Sequence, residues 1–270
     1  MKRIKRRKLK WILGCSFLLG IILAALFAPL LTSFIPGKVD ITQRLLPPSP
    51  EHWLGTDLKG IDIWTSLLYG ARISLMVSFF TVLITTTVGG CLGLLAGYLG
   101  GWFEQILMRL IDVLMAFPGM ILTLSFAAVL VPSYFSLIFS IALTGWMETA
   151  RIIRAEVLSL KEREYILAAR ALGAPTGSLL FKHILPALLP LLLTQVTASV
   201  ASVIRIESGL SFLGLGPHGL VPTWGQLLSE GRTVILESPL LSIAPGLSIF
   251  LLLLSVHLIG DSLNNGSRGP

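Results

Sequence analysis

Long apolar runs separated by short polar breaks dominate the chain. A helix needs about 20 apolar residues to cross the hydrocarbon core of a bilayer, so runs of that length predict membrane spans. We predict six spans, at residues 11–31, 73–98, 105–130, 135–147, 184–204 and 240–259. The fourth run is short, and its helical pattern continues through Arg151 and Arg154 into the next polar segment. The pattern predicts an all-α integral membrane protein with six transmembrane helices.

Composition supports a membrane protein, and the positions of the basic residues indicate what the excess of positive charge does. The chain is 54% hydrophobic and 13% charged, whereas soluble domains carry about 25% charged residues. Seven of its 21 basic residues lie in the first ten positions. Such a cluster beside an apolar run predicts a cytoplasmic N-terminus held at anionic lipid, so we expect no nucleic-acid partner. Cys15 and Cys91 lie in separate apolar runs and indicate neither a disulfide nor a metal site.

The predicted spans divide the chain into alternating sides of the bilayer. Residues 1–10 form a basic cytoplasmic N-terminus, 11–31 the first span and 32–70 an extracytoplasmic segment. Residues 71–260 form a five-helix core that includes a cytoplasmic loop at 151–183, and 261–270 form a cytoplasmic tail. Both termini are therefore predicted to be cytoplasmic, and a helix at 61–68 is expected to lie at the interface before the second span.

Small residues and charges inside the spans suggest how the helices pack. Gly89, Gly93 and Gly97 recur every fourth residue, which predicts a face that another helix can approach closely. In the third span, Arg109 and Asp112 are three residues apart and so share a helix face. We expect them to form a structural pair, with a proton relay as the alternative, and we expect Pro118 to kink this span.

The polar stretch at 161–190 interrupts the apolar second half of the chain. Residues 164–172 predict a short helix of strong helix formers, with Gly173 as its cap and Pro175 as its stop. Ala168 and Ala169 give this helix a smooth flank. A short, capped helix in a cytoplasmic loop predicts a docking element for a partner, with a loop helix that contacts nothing as the alternative.

The C-terminal third contains a second extracytoplasmic segment. We expect Arg205 and Glu207 to mark the outer end of the fifth span, and 208–239 to follow as a glycine-broken, half-apolar segment. Irregular backbone at membrane depth must line a cavity or be buried in protein, so a re-entrant or interfacial cap is predicted here.

The sequence carries no recognisable reaction centre. It has no G-x-x-x-x-G-K-[ST] and no H-E-x-x-H, its histidines are isolated, and we predict no cofactor, no metal and no enzymatic activity. His218 and His257 remain open as functional residues. A bundle with a docking helix and no energy source suggests a transport subunit driven by a partner. The alternatives are a self-sufficient secondary transporter, for which no ion-coupling site is evident, and a membrane enzyme.

The docking stretch also carries a family resemblance. Residues 168–173 (AARALG) followed by 183–186 (HILP) resemble the "EAA…G…LP" cytoplasmic loop of binding-protein-dependent ABC importer permeases. Leu167 stands where that motif has Glu, and His183 where Ile is usual. His183 is nevertheless similar to the peptide/nickel branch, which often has His-x-Leu-Pro.

Further motifs along the chain resemble the dipeptide/oligopeptide/nickel permease subfamily, second-permease type. They are HWLGTD at 52–57, GARISL at 70–75, GYLGG at 97–101, MRLID at 108–112, LSFLGLG at 210–216, and the pairs at 224–225, 245–246 and 260–261. Residues 59–62 lack the usual Gly-Arg-Asp, His257 replaces a common Asn, and residues 264–265 replace Arg-Asp.

The resemblance implies a type I importer permease fold in a bacterial-type cytoplasmic membrane. The implied partners are a homologous permease, two ATP-binding subunits that hydrolyse ATP, and an extracytoplasmic solute-binding protein. The implied substrates are di- and oligopeptides, with nickel or a metal chelate as the alternative. The residues implied to couple to the ATPase are Glu164, Ala168, Ala169, Gly173, Pro175, His183 and Pro186. The extracytoplasmic or gate candidates are Glu207, Ser211, Gly214, Gly216 and Trp224.

Overall fold

The computed structural model describes the backbone of residues 2–217 and 219–267, and the side chains of residues 8–217 and 219–263. The side chains of the basic residues at 2–7, His218 as a functional candidate, and the last three residues of the predicted tail lie outside the described parts. Eleven α-helices occur in the described chain. They are α1 (Lys2–Leu26), α2 (Ala28–Leu31), α3 (Ile63–Leu99), α4 (Gly101–Met115), α5 (Gly119–Val129), α6 (Tyr134–Leu160), α7 (Glu164–Ala171), α8 (Thr176–Ser178), α9 (Leu185–Phe212), α10 (Trp224–Gly231) and α11 (Leu240–Ser267).

Five helical stretches of the described chain are long and apolar enough to cross a membrane. They are Lys8–Leu26, Ile63–Leu99, Tyr134–Leu160, Thr176–Phe212 and Leu240–Leu263. The pair α4 and α5 passes the same test together and gives a sixth span if it is counted as one. The all-helical architecture is confirmed, and so is the number of spans when the pair is counted in this way.

The third span differs from its prediction. Instead of one kinked helix, α4 and α5 meet at an angle of 86° across a three-residue break. Pro118 explains the break, because a proline ring has no N–H to donate and clashes with the preceding turn of a helix. Proline also suits the start of a new helix, and α5 begins directly after it.

The second span begins earlier than predicted. Asp62 accepts hydrogen bonds from the backbone N–H and the hydroxyl of Thr65, both at 2.7 Å, and so caps the first turn of α3. The helix then continues unbroken to Leu99. The predicted interfacial helix at 61–68 is therefore the first part of α3, and the predicted boundary at 70/71 lies inside a helix.

The other span ends also differ from their predictions. The helix α1 ends at Leu26, and Pro29 lies in the first turn of the separate α2. At the C-terminal side, α9 continues to Phe212 and α11 to Ser267. Gly260 therefore does not end the last helix, because a single glycine weakens a helix without stopping it. Because α11 continues past Gly260, residues 261–267 of the predicted tail are helical.

The helix α3 lies at the centre of the packing against α6 and α9. A Cβ added at Gly89 would lie 2.5 Å from the carbonyl oxygen of Trp146, and one at Gly97 would lie 2.8 Å from that of Arg154. A Cβ at Gly93 would meet the carbonyl oxygen of Ala150. The three glycines therefore line the α3–α6 contact, where only hydrogen fits between the two backbones.

Candidate functional site

The α7 helix is held at one end of the bundle by a buried side chain. Ile166 is fully buried and packs in a cluster whose other members come from α6, from the segment that leads into α9 and from the start of α9. These members are Ile153, Val157, Leu160, Leu179, Ile184 and Leu188. Because one side of α7 is fixed by this cluster, its opposite side is turned away from the bundle.

The end of α7 is closed by a Schellman motif. Gly173 has φ +82°, its N–H donates to the carbonyl oxygen of Arg170 at 3.0 Å, and the N–H of Ala174 donates to that of Ala169 at 3.1 Å. The positive φ explains why glycine stands here, since an L side chain is disfavoured in that conformation. The sharp stop fixes where the outward face of α7 ends.

The two adjacent alanines of α7 have different surroundings. Ala168 is exposed, and Leu172 beside it is 90% exposed. Ala169 is half-buried and packs against the cluster that holds Ile166. The outward face of α7, which points away from the bundle, is therefore formed by Ala168, Leu172 and the half-exposed Tyr165. Ala169 lies largely on the opposite side, against the cluster that contains Ile166.

The remaining coupling candidates flank α7. Glu164 is exposed in its first turn, and Pro175 is exposed directly before α8. His183 is half-buried in a π-helical turn, and Pro186 is exposed in the first turn of α9. The structure thus brings these residues to the same end of the bundle, around the segment that joins α7 to α9.

Charged residues of α4 pair with α6, not with one another. Asp112 forms an ion pair with Arg151, so the predicted pairing of Arg109 with Asp112 is wrong. Glu104 forms a second pair with Arg154, whose Nε donates to Oε1 at 2.7 Å. The helix spacing identifies neighbours on one face but cannot identify a stronger partner on another helix. The exposed Arg109 has no pair among the described residues.

The gate candidates lie at the opposite end of the bundle. Glu207 is fully buried, and α9 continues beyond it to Phe212, so the prediction that Glu207 marks the end of the fifth span is wrong. It accepts hydrogen bonds from the hydroxyls of Ser211 (3.1 Å), Ser208 (3.3 Å) and Ser74 (3.4 Å). Ser74 belongs to α3 and the other residues to α9, so one buried carboxyl group joins these helices.

The α10 helix packs over this carboxyl group. The indole N–H of Trp224 donates to the carbonyl oxygen of Leu67 in α3 at 2.9 Å, and Thr223 and Gln226 form a capping box at its start. Gly214 has φ +86°, and a Cβ at Gly216 would lie 2.8 Å from the hydroxyl of Ser211. The gate candidates therefore lie together where α3, α9 and α10 meet. We call this region, built around Glu207, Ser74, Ser211 and Trp224, the Glu207 junction.

Other polar groups at this end come from the loop before α3. His52 is 3% exposed, with Nδ1 3.0 Å from Asp62 and Nε2 3.2 Å from Gln43. This contact ties the HWLGTD motif to the cap of α3. His257, by contrast, is exposed on α11 and lies 3.9 Å from Asp261.

Comparison with known proteins identifies the family. The family described as binding-protein-dependent transport system inner membrane component matches residues 89–269, which include α6, α7 and α9. The chain belongs to this family. The matched region of the permease contains both α7 and Glu207.

The permease has relatives along almost its whole length. It is 40% identical over 264 residues to the dipeptide transport system permease protein DppC of Alkalihalophilus pseudofirmus, covering 98% of this chain and 86% of that protein. It is 34% identical over 265 residues to the oligopeptide transport system permease protein OppC of Bacillus subtilis, covering 98% and 87%. It is also 39% identical to the glutathione transport system permease protein GsiD of Pectobacterium atrosepticum, covering 81% and 72%.

A solved structure has the same fold. The MetNI methionine ABC transporter in inward-facing conformations contains a chain that matches with a TM-score of 0.60 and 17% identity. The match covers 76% of this chain and 97% of that chain. The type I ABC importer permease fold is confirmed, and the permease is a multi-pass membrane transport subunit.

Proposed function

We propose that this permease is one of two homologous membrane subunits of an ATP-driven importer that carries di- and oligopeptides across the cytoplasmic membrane. The names of its relatives support this substrate class, since DppC, OppC and GsiD are named as permeases of dipeptide, oligopeptide and glutathione transport systems. The same names favour peptides over the nickel alternative. The permease supplies the pathway, and two separate ATP-binding subunits supply the energy.

The distribution of basic residues supports a cytoplasmic location for the α7 end. Arg72 of α3 donates to the carbonyl oxygens of Ala25 and Leu26 at the end of α1, which places this end of α1 beside the Glu207 junction. The basic start of α1 then lies at the α7 end, where Arg163, Arg170 and Lys182 also cluster. Positive charge favours the cytoplasmic side, so both termini and α7 face the cytoplasm in this proposal.

The outward face of α7 is the observation that carries the proposal. Exposed apolar residues on a short, rigidly anchored helix are suited to insertion in a groove of a partner. We assign that groove to an ATP-binding subunit. When the ATP-binding subunits close, they displace α7, and the packed cluster around Ile166 transmits the displacement to α6 and α9 because close-packed interiors transmit strain.

The Glu207 junction is the proposed receiving end of that displacement. It joins α3, α9 and α10 at the extracytoplasmic end, where the solute-binding protein delivers the substrate. Movement of α9 relative to α3 would strain the hydrogen bond that Ser74 donates to Glu207. Reorganisation of this junction then opens or closes the extracytoplasmic access.

Uptake in the native cell tests the proposal. Labelled dipeptide and labelled nickel are offered side by side to cells with the chain intact and to cells with the chain deleted. The expected result is loss of dipeptide uptake with nickel uptake unchanged. Loss of nickel uptake alone would assign the permease to metal acquisition, and unchanged uptake of both solutes would contradict the peptide assignment.

A further inference from the structure

A cavity of about 650 Å³ lies at the end of the bundle that holds the Glu207 junction. The loop before α3 lines one side of it with Asp57 and Lys59, and the C-terminal third lines the other with Ser211, Ser229 and Glu230. This volume is within the range of small-ligand sites, about 300–1,000 Å³.

Two carboxylate oxygens on the residues that line this cavity lack hydrogen-bond partners. Asp57 is 1% exposed, and its Oδ1 accepts from the backbone N–H groups of Lys59 (2.7 Å) and Ile61 (2.8 Å). Its Oδ2 is buried without a partner. Glu230 accepts from Lys59 Nζ through Oε1 at 2.8 Å, and its Oε2 is likewise buried without a partner. Buried polar atoms are rarely left without a hydrogen-bond partner, so each of these oxygens is a candidate acceptor for a donor on a ligand.

The charges around the cavity favour a cation. Among the described residues that line it, the charged side chains are two carboxylates and one ammonium, which leaves one net negative charge. Burial raises the pKa of Asp57 above its usual range, and the neighbouring charge of Glu230 acts in the same direction. A bound cation would offset both effects, because an opposite charge favours the ionised carboxylate.

We propose that this cavity is a subsite for a primary ammonium group, supplied by the free N-terminus of the transported peptide. An ammonium carries three donors, enough to serve both unpaired oxygens, and such charge-assisted hydrogen bonds are strong. A metal ion fits less well, since the described residues hold no group of three His, Cys, Asp or Glu side chains suited to one. The inference rests on the peptide substrate proposed above.

Charge-selective labelling tests whether the cavity attracts cations. Ser229→Cys places a thiol in the cavity wall of the assembled importer, with Cys15→Ser and Cys91→Ser removing the native thiols of this chain. The thiol is modified with a cationic and a neutral methanethiosulfonate of similar size, and the ratio of the two rates is measured. Glu230→Gln should lower the cation-to-neutral ratio roughly fivefold, since a charged cleft concentrates counter-ions about tenfold or more.

Two further variants sharpen the labelling test. Asp57→Asn keeps an oxygen for the N–H groups of Lys59 and Ile61 and replaces only the unpaired oxygen, so it should lower the ratio as Glu230→Gln does. Glu237→Gln removes an exposed carboxylate of the same region that does not line the cavity, and it should leave the ratio unchanged. An equal ratio in all variants would overturn the inference. If Asp57→Asn does not fold, the ratio measured in Glu230→Gln decides by itself.

Protection of the same thiol tests the source of the ammonium. Without the binding protein, trialanine should slow the cationic labelling and N-acetyl-trialanine should not, and Glu230→Gln should abolish the protection. Equal protection by both peptides, or by neither, would overturn the assignment to the substrate. Protection by the peptide-free binding protein alone would assign the cation to a basic side chain of that protein and would also overturn it.

Transport by the parent protein separates the two proposals. If reconstituted parent importer carries trialanine but its labelling ratio is insensitive to Glu230→Gln, the peptide function stands and the ammonium subsite fails. If the parent importer carries no peptide, the peptide function fails and the subsite fails with it.

Discussion

Lys161 donates a hydrogen bond from its ammonium group to the carbonyl oxygen of Gly97, at 3.2 Å. Lys161 follows α6 directly, and Gly97 is the last of the three glycines on the α3 face that contacts α6. The loop that leads to α7 is therefore bonded to the same helix pair that the glycines bring together. We infer that α3, α6 and α7 respond as one unit when α7 is displaced.

Substitution of Gly93 should weaken this unit. In Gly93→Ala the new Cβ meets the backbone of Ala150, which cannot move aside as a flexible side chain could. Overpacking of this kind costs about 1–3 kcal/mol. Gly90→Ala is the matched control, because nothing lies within 4 Å of its new Cβ. Thermal unfolding of the purified permease should show a lower midpoint for Gly93→Ala alone, and equal midpoints would contradict the packing role.

The ion pair of Arg154 with Glu104 should contribute more to the stability of the folded permease than the pair of Lys10 with Asp261. The former side chains are 31% and 17% exposed, and the latter are 49% and 39% exposed. Arg154→Met leaves a largely buried carboxylate without its donor, which costs about 1.5–3 kcal/mol for a hydrogen bond to a charged group. Lys10→Met should cost about 1 kcal/mol or less.

Unfolding in a graded denaturant distinguishes the two pairs. The midpoint for Arg154→Met should fall further than that for Lys10→Met. The double variant Arg154→Met with Glu104→Gln should recover part of the loss, since it removes the unpaired charge. A larger effect at Lys10 would show that exposure does not rank these pairs.

Glu207 should control the order of α10. Glu207→Leu leaves the hydroxyls of Ser74 and Ser211 without their buried acceptor, whereas Glu207→Gln keeps one oxygen in place. Amide hydrogen exchange at residues 224–231 should therefore become clearly faster in Glu207→Leu and change little in Glu207→Gln. Unchanged exchange in both variants would mean that α10 is held by Trp224 and its neighbours without the carboxyl group.

The number and order of the spans follow from hydropathy alone, but their ends do not. Apolar length predicts where a helix can lie in a bilayer, and it needs no knowledge of tertiary contacts. The ends are set by single side chains, as the cap at Asp62 and the break at Pro118 show. A capping residue before an apolar run and a proline within one are visible in the sequence, but their strength depends on the surrounding structure.

The candidate site shows the same limit for pairs of residues. A spacing of three places Arg109 and Asp112 on one face, but Asp112 pairs with Arg151, which is 39 positions away. Likewise, the small residues of α7 indicate a smooth helix without showing which side is covered. Ile166 decides that, because its burial turns Ala168 outward and leaves Ala169 partly inside.

The outward face of α7 gives the test of coupling. Ala168→Glu places a charge on the exposed face without touching the buried cluster, so the chain should remain folded and in the membrane. If this face enters a groove of an ATP-binding subunit, the charge is desolvated without a partner, which is strongly unfavourable. Peptide uptake should fall about tenfold or more, the scale expected for a central interface residue.

Variants at and near Ala168 separate docking from folding. Ala168→Ser keeps a small side chain at the same position and should retain most of the uptake. Ala169→Glu should reduce both uptake and thermal stability, because Ala169 packs against the cluster around Ile166. Gly173→Asp should impair uptake through the cap, since a side chain is disfavoured at φ +82°. Co-purification of the ATP-binding subunits decides the cause: with Ala168→Glu they should be lost while the homologous permease is retained, and normal co-purification with normal uptake would show that α7 is not the docking element.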